Sequence, residues 1–203
     1  MNENLINKCN DYDFKSLLKK KGFSYFEKGT YNLNIIGVRN KGNNITNKFD
    51  DVIIVDYKDK DEVWNRELFV ATTDPGLMSM KSFMNKKGCA ILAEGQYRGC
   101  YCIGYHKSKY RALVQCKPVI VYRDRNKDNK YDFEPQSSEI GNFGINIHHA
   151  GVNSVRVDNW SAGCQVIAKL KDFDKLMKLA FKQIESGNGD KFTYTLLKEE
   201  DLV

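Results

Sequence analysis

The chain is short of prolines and histidines, three of each, and no apolar run approaches the ~20 residues that a membrane-spanning helix needs. Few prolines alongside 41% hydrophobic residues exclude collagen-like, mucin-like and wholly disordered chains. Met1 to Asp13 is polar and lacks the apolar core of an export signal. The six cysteines, at 9, 89, 100, 102, 116 and 164, lack the dense spacing of a disulfide scaffold and read as free thiols made in a reducing compartment. Cys100-x-Cys102 with His106 could offer metal ligands, but the second pair of a zinc site is missing, so no metal is assigned.

The 203 residues suit one substantial core. A net charge of +6 would suit any polyanion, yet the basic residues are scattered among acids and no nucleic-acid-binding pattern accompanies them. Nucleic acid is therefore set aside as a partner.

Asp11 to Lys21 carries Phe14, Leu17 and Leu18 at helical spacing with Gly22 behind it, which predicts a short amphipathic helix within an N-terminal extension, residues 1–30. From Tyr31 the pattern turns to β-rich runs: Tyr31–Val38, Val52–Tyr57, Glu67–Thr72, Cys89–Tyr97, Ala112–Gln115 and Val119–Tyr122. Thr72 to Gly76 reads as a turn, with Pro75 fixing φ and Gly76 free to take positive φ. Asp172 is placed to cap a helix through Glu185, with Phe173, Leu176, Met177, Ala180, Phe181 and Ile184 as its core stripe, before a last strand at Lys191–Leu197. The expected fold is mainly β (α+β), a sandwich or barrel over residues 31–203, with one helix before the sheets and one after Cys164.

The chemistry concentrates between Gly144 and Gln165. Gly144 to His148 reads as a strand whose Ile145 and Ile147 face the core, leaving Asn146 and His148 on an accessible face. Cys164 follows His148 by 16 residues, a loop long enough to bring thiol and imidazole together. A free thiol is mostly protonated at neutral pH, so a nucleophilic cysteine needs a neighbouring base. The small residues before it let the amides of Ala162, Gly163 and Cys164 converge as an oxyanion hole, with Ser161 shaping the bend. All three histidines precede Cys164, an order opposite to papain-like enzymes. His149 is expected to be turn surface, and His106 exposed in a basic, aromatic loop. Asp124, Asn126, Asp128 and Asp132 have the spacing of a calcium loop, with Asn129 able to take the glycine-like position, but Pro135 stands where the last glutamate belongs. A polar turn accounts for the same residues.

His148 followed by Ser161-Ala-Gly-Cys164 resembles the catalytic domain of the L,D-transpeptidase (YkuD-like) family, whose signature is a histidine and then Ser/Thr-His-Gly-Cys. The form INIH…NWSAGCQVI is most similar to the divergent branch encoded by phages and gut-type Gram-negative bacteria. Val52–Tyr57 and Phe69 to Gly76 echo the family's opening strand and its Thr-Pro-x-Gly turn. The chain departs from the pattern at Ala162, where the family has histidine, and at Gln165 and Val166 after the cysteine.

The resemblance implies a cofactor-free acyl transfer on peptidoglycan stem peptides through a thioester, with Cys164 as nucleophile and His148 as base. Cleavage is expected over crosslinking, at the cell wall or from a virion, after synthesis in the cytoplasm without a visible signal and with a virion or holin-type partner for delivery. The competing expectation is a catalytically silent wall-binding or virion structural protein that keeps the fold.

Overall fold

The computed structural model describes residues 3–82 and 85–203. Met1 and Asn2, the start of the expected extension, lie outside the described residues. Eight strands form a closed barrel: β1 (Asn34–Arg39), β2 (Asp51–Lys58), β3 (Trp64–Thr72), β5 (Gly95–His106), β6 (Tyr110–Gln115), β9 (Ile147–Gly151), β10 (Gln165–Lys169) and β11 (Lys191–Lys198). They run in the order β1-β11-β5-β6-β9-β10-β3-β2. A separate three-stranded sheet holds β4 (Cys89–Leu92), β7 (Val119–Asp124) and β8 (Glu139–Gly141) in the order β4-β7-β8. The mainly β expectation is met, as a barrel. No helix among the described residues is long and apolar enough to cross a membrane.

Two helices precede the barrel where the sequence predicted one. In α2 (Phe14–Lys20), Asp13 accepts from the Ser16 amide at 3.0 Å, and Gly22 follows in the left-handed region. Before it, α1 (Glu3–Asp11) buries Leu5 and Cys9, with Ile6 half-buried beside them, too sparse an apolar stripe to mark a helix beforehand. Both pack with Ile36, Val38, Val52 and Ile54 on one face of β1 and β2, while Ile35, Ile53 and Val55 on the other face join the main core. With both faces covered these strands read as unbroken apolar runs.

The expected strand Cys89–Tyr97 is two strands in different sheets, separated at Ala93–Glu94. The second, β5, runs past the predicted end at Tyr97 to His106, through Gly99 and Gly104. Gly104 is a site of close approach, since a Cβ there would meet Val114 Cγ2 at 2.5 Å. Gly76 corrects the turn reading. Its φ is −78°, and glycine is required because a Cβ would lie 2.1 Å from the Asp158 carbonyl oxygen.

Helix α4 (Leu170–Glu185) starts two residues before Asp172, which sits in its first turn rather than capping it. Its stripe is also corrected. Phe181 and Ile184 are exposed, and Leu179 and Gln183 are buried instead. The Gln183 amide accepts from Leu33 N and donates to Gly189 O and Lys191 O, tying the helix end to β1 and β11.

Candidate active site

Strands β9 and β10 are parallel neighbours, with Ile147 opposite Gln165 and His148 opposite Val166. Parallel pairing requires a crossover of about a dozen residues or more, because a hairpin cannot reverse the chain twice. The segment from Val152 to Cys164 is that crossover, and its far end delivers the thiol. Extending the register by one residue puts Cys164 beside Asn146. Asn146 and His148 share a face one pleat apart, so the Cα atoms of Cys164 and His148 lie diagonally across the strand pair, roughly 8 Å apart at ~3.3 Å per residue and ~4.8 Å between strands.

The half-buried thiol accepts from Asn146 N and donates to Gly144 O, both at 3.4 Å. No hydrogen bond joins it to the His148 ring. Burial pushes its pKa up, with the Asn146 amide and the charge of Lys107 opposing. Cys164 is therefore a neutral thiol at rest.

His148 is not presented to solvent as the strand alternation suggested, being 2% exposed. The cause is His106, expected in an exposed loop but lying at the buried end of β5. Its ring stacks on that of His148, centroids 3.9 Å apart. Only one residue pair, Leu113 with Ile147, joins β6 to β9, and His106 reaches His148 across the splayed start of β6. His149 is not turn surface either, since its ring packs on Tyr110 at 4.3 Å and on Phe173 of α4 at 5.2 Å.

Fixed donors and acceptors set both tautomers. His148 Nδ1 lies 2.8 Å from the His149 carbonyl oxygen, which can only accept, so Nδ1 carries the proton and Nε2 holds the free lone pair. Tyr110 donates to the same carbonyl at 3.3 Å. Asn146 Oδ1 accepts the Gln115 amide at 3.0 Å, which orients the carboxamide and turns Nδ2 towards His106 Nδ1 at 3.1 Å. His106 thus accepts at Nδ1 and carries its proton on Nε2. Burial is the main cause lowering His148 to about 3 and His106 to about 4, with positive neighbours adding to it, so both rings are neutral at pH 7.

Beneath the thiol, Ser161 donates to Cys164 O at 2.8 Å and accepts Gly163 N at 3.2 Å. The Gly163 amide is therefore spent inside the loop and is not the oxyanion donor expected of it. Ala162 and Cys164 amides make no such hydrogen bond among the described residues. Gly163 has φ +120°, and a Cβ there would meet Ala90 O at 2.4 Å, so the bend tolerates only glycine. Gln165 braces it from the barrel interior, donating to Gly163 O and Thr73 O and accepting from Tyr194 at 2.8 Å. Gly76 N donates to Ser161 O at 3.0 Å, so the turn before α3 (Leu77–Lys81) supports the same bend.

Ala162 opens onto a cleft of about 620 Å³ with Phe143 and Met78 as apolar wall and Asn142, Asn159, Lys107 and Arg123 as polar groups. Arg123 is committed to Glu139, but Lys107 has no ion pair among the described residues. Lys107 and Ser108 both take left-handed φ, 47° and 58°, at the tip of the β5–β6 hairpin. Sequence reasoning missed His106, Tyr110 and Lys107 as a group. Their one local signal is a histidine and a tyrosine flanking a polar three-residue turn.

Among the described residues, no group of three or more His, Cys, Asp or Glu side chains stands ready to hold a metal ion. No protein-family model, curated protein or solved structure matches the chain.

Proposed function

We infer that the protein is a cysteine-dependent acyl transferase acting on peptidoglycan stem peptides, cleaving in preference to crosslinking. One observation carries the reading: a thiol two residues after Ala162, which opens onto the cleft, lying diagonally across the β9–β10 pair from a neutral imidazole whose free lone pair is fixed at Nε2. In the reaction, His148 Nε2 takes the Cys164 proton as sulfur attacks a peptide carbonyl carbon. The two unspent amides, Ala162 and Cys164, receive the developing oxyanion, each worth roughly 3–4 kcal/mol when well aimed. The carbon–nitrogen bond breaks, the leaving amine takes the proton from His148, and a thioester remains. Water, deprotonated by the same nitrogen, then releases the acid and restores the thiol.

The His106 ring stacks on the ring that takes the proton and fixes its plane, while burial and His106 itself hold the basicity of His148 down, so the imidazolium forms only transiently as sulfur attacks. Lys107 offers a positive charge to an acidic group of the peptide. Specificity for peptidoglycan rests on the resemblance of the His148 and Ser161-to-Cys164 segments. The silent-scaffold reading has one observation on its side: the resting thiol donates to Gly144 O rather than to His148.

Timed iodoacetamide labelling with peptide mass spectrometry separates the two. The enzymatic reading expects Cys164 to alkylate faster than exposed Cys116 at neutral pH, and to lose that lead in His148→Ala. Equal rates in both proteins favour the scaffold.

A further inference from the structure

We propose that a second cleft, on the far side of α3 from the thiol cleft, binds a small organic anion with an apolar body. The start of α3 separates the two, since Leu77 lines this cleft and Met78 the other. Its volume is about 550 Å³, within the range of pockets that take small molecules. Phe49, Val70 and Ala168 make its floor, on the face of β3 and β10 turned away from the main core. At the rim Val155 is 77% exposed, an apolar side chain that a bound ligand would cover.

Charge decides which ligand the cleft suits. Lys48, Arg156 and Lys169 line it and no Asp or Glu does, although the chain carries 26 of those acids. Arg156 reaches Asp158 only loosely, at 3.6 Å, and the same carboxylate oxygen accepts Asn47 Nδ2 at 2.7 Å. Lys48 and Lys169 have no ion pair among the described residues. Three cations around an apolar floor concentrate positive potential where little competes with it, so a negative head is held while the floor takes up the apolar body. A cationic ligand of the same shape is repelled.

The walls are already fixed. Lys48 faces Arg156 in one antiparallel bridge, and Asn153 faces Lys169 in another. Buried Asn47 ties the walls together. Its Oδ1 accepts Leu77 N at 3.0 Å and Asp158 N at 2.8 Å, and its main-chain oxygen accepts Val157 N at 3.1 Å. Positions set in advance lower the ordering cost of binding.

The test is fluorescence titration of the full chain with anilinonaphthalene sulfonate, an apolar anion that brightens on leaving water, with dodecanoate as competitor. The cleft predicts saturable one-to-one binding that salt weakens, and displacement by dodecanoate but not by dodecyltrimethylammonium. The exposed pair Lys48→Glu and Arg156→Glu, made together with an unchanged circular dichroism spectrum, weakens binding at least ~10-fold. Val70→Trp, which fills the floor and keeps the charges, weakens it as well. No saturable signal up to about 1 mM probe, equal binding in either variant, or displacement by the cation as readily as by dodecanoate overturns the proposal. Sedimentation with phosphatidylglycerol vesicles in place of binding to the free anions would assign the cleft to a membrane surface and overturn it too.

Discussion

His106 and His148 share one proton-poor stack, and their titration sets an acid limit on the fold. Both have folded pKa values, about 4 and about 3, below the ordinary 6.5. The unfolded chain therefore binds protons first as pH falls, so the stability of the neutral pair is complete above 6.5 and is lost on the way down to about 3. Urea unfolding is expected to show a lower midpoint at pH 5 than at pH 7, with a smaller drop in His106→Gln. An equal drop in the variant would contradict the assignment. Gly163→Ala forces a side chain at φ +120° against Ala90 O, and is expected to cost about 1–3 kcal/mol in denaturant titration while slowing Cys164 chemistry. The bend and both named partners, His148 and Cys164, were legible because they lie on one short segment. His106 was not, because only the closing of β5, β6 and β9 into neighbouring strands brings it there.

The crossover between β9 and β10 is the element on which the site depends, and Gln165 anchors it. Gln165→Leu leaves the Tyr194 hydroxyl without its acceptor inside the barrel and frees the Gly163 and Thr73 carbonyls. The expected loss is about 1–3 kcal/mol by urea titration, with faster amide exchange at Gly163. Unchanged exchange would show that the bend is held by Ser161 alone. Strand identity was legible wherever β-branched runs were unbroken, as in β1 and β2. The reading failed where glycines serve close packing, as at Gly104 in β5, and where a helix is mostly polar, as in α1.

Across the whole molecule, the barrel is closed by a buried ionic cluster that no local pattern announced. Arg39, 2% exposed, pairs with Asp74 at 2.8 Å and Glu94 at 2.5 Å and donates to Thr73 O and Leu92 O. Asp51 accepts from Thr73 N and Asn40 N beside it. Thr73 O also receives Gln165, so the cluster and the Ser161–Cys164 bend share a support. Arg39→Met leaves these carboxylates without their counter-ion and is expected to cost about 3–5 kcal/mol in denaturant titration. Burial raises Asp51 and Asp74, so their contribution is present at acid pH and is lost as pH rises above the ordinary carboxylate range. The histidines act in the opposite direction.

The reaction itself is read most directly from peptidoglycan incubated with the full chain and analysed by mass spectrometry of the released and residual muropeptides. The account predicts stem peptides shortened with the uptake of water in the wild type, and an unaltered profile with Cys164→Ala and with His148→Ala. A wild-type digest indistinguishable from the Cys164→Ala digest would contradict it.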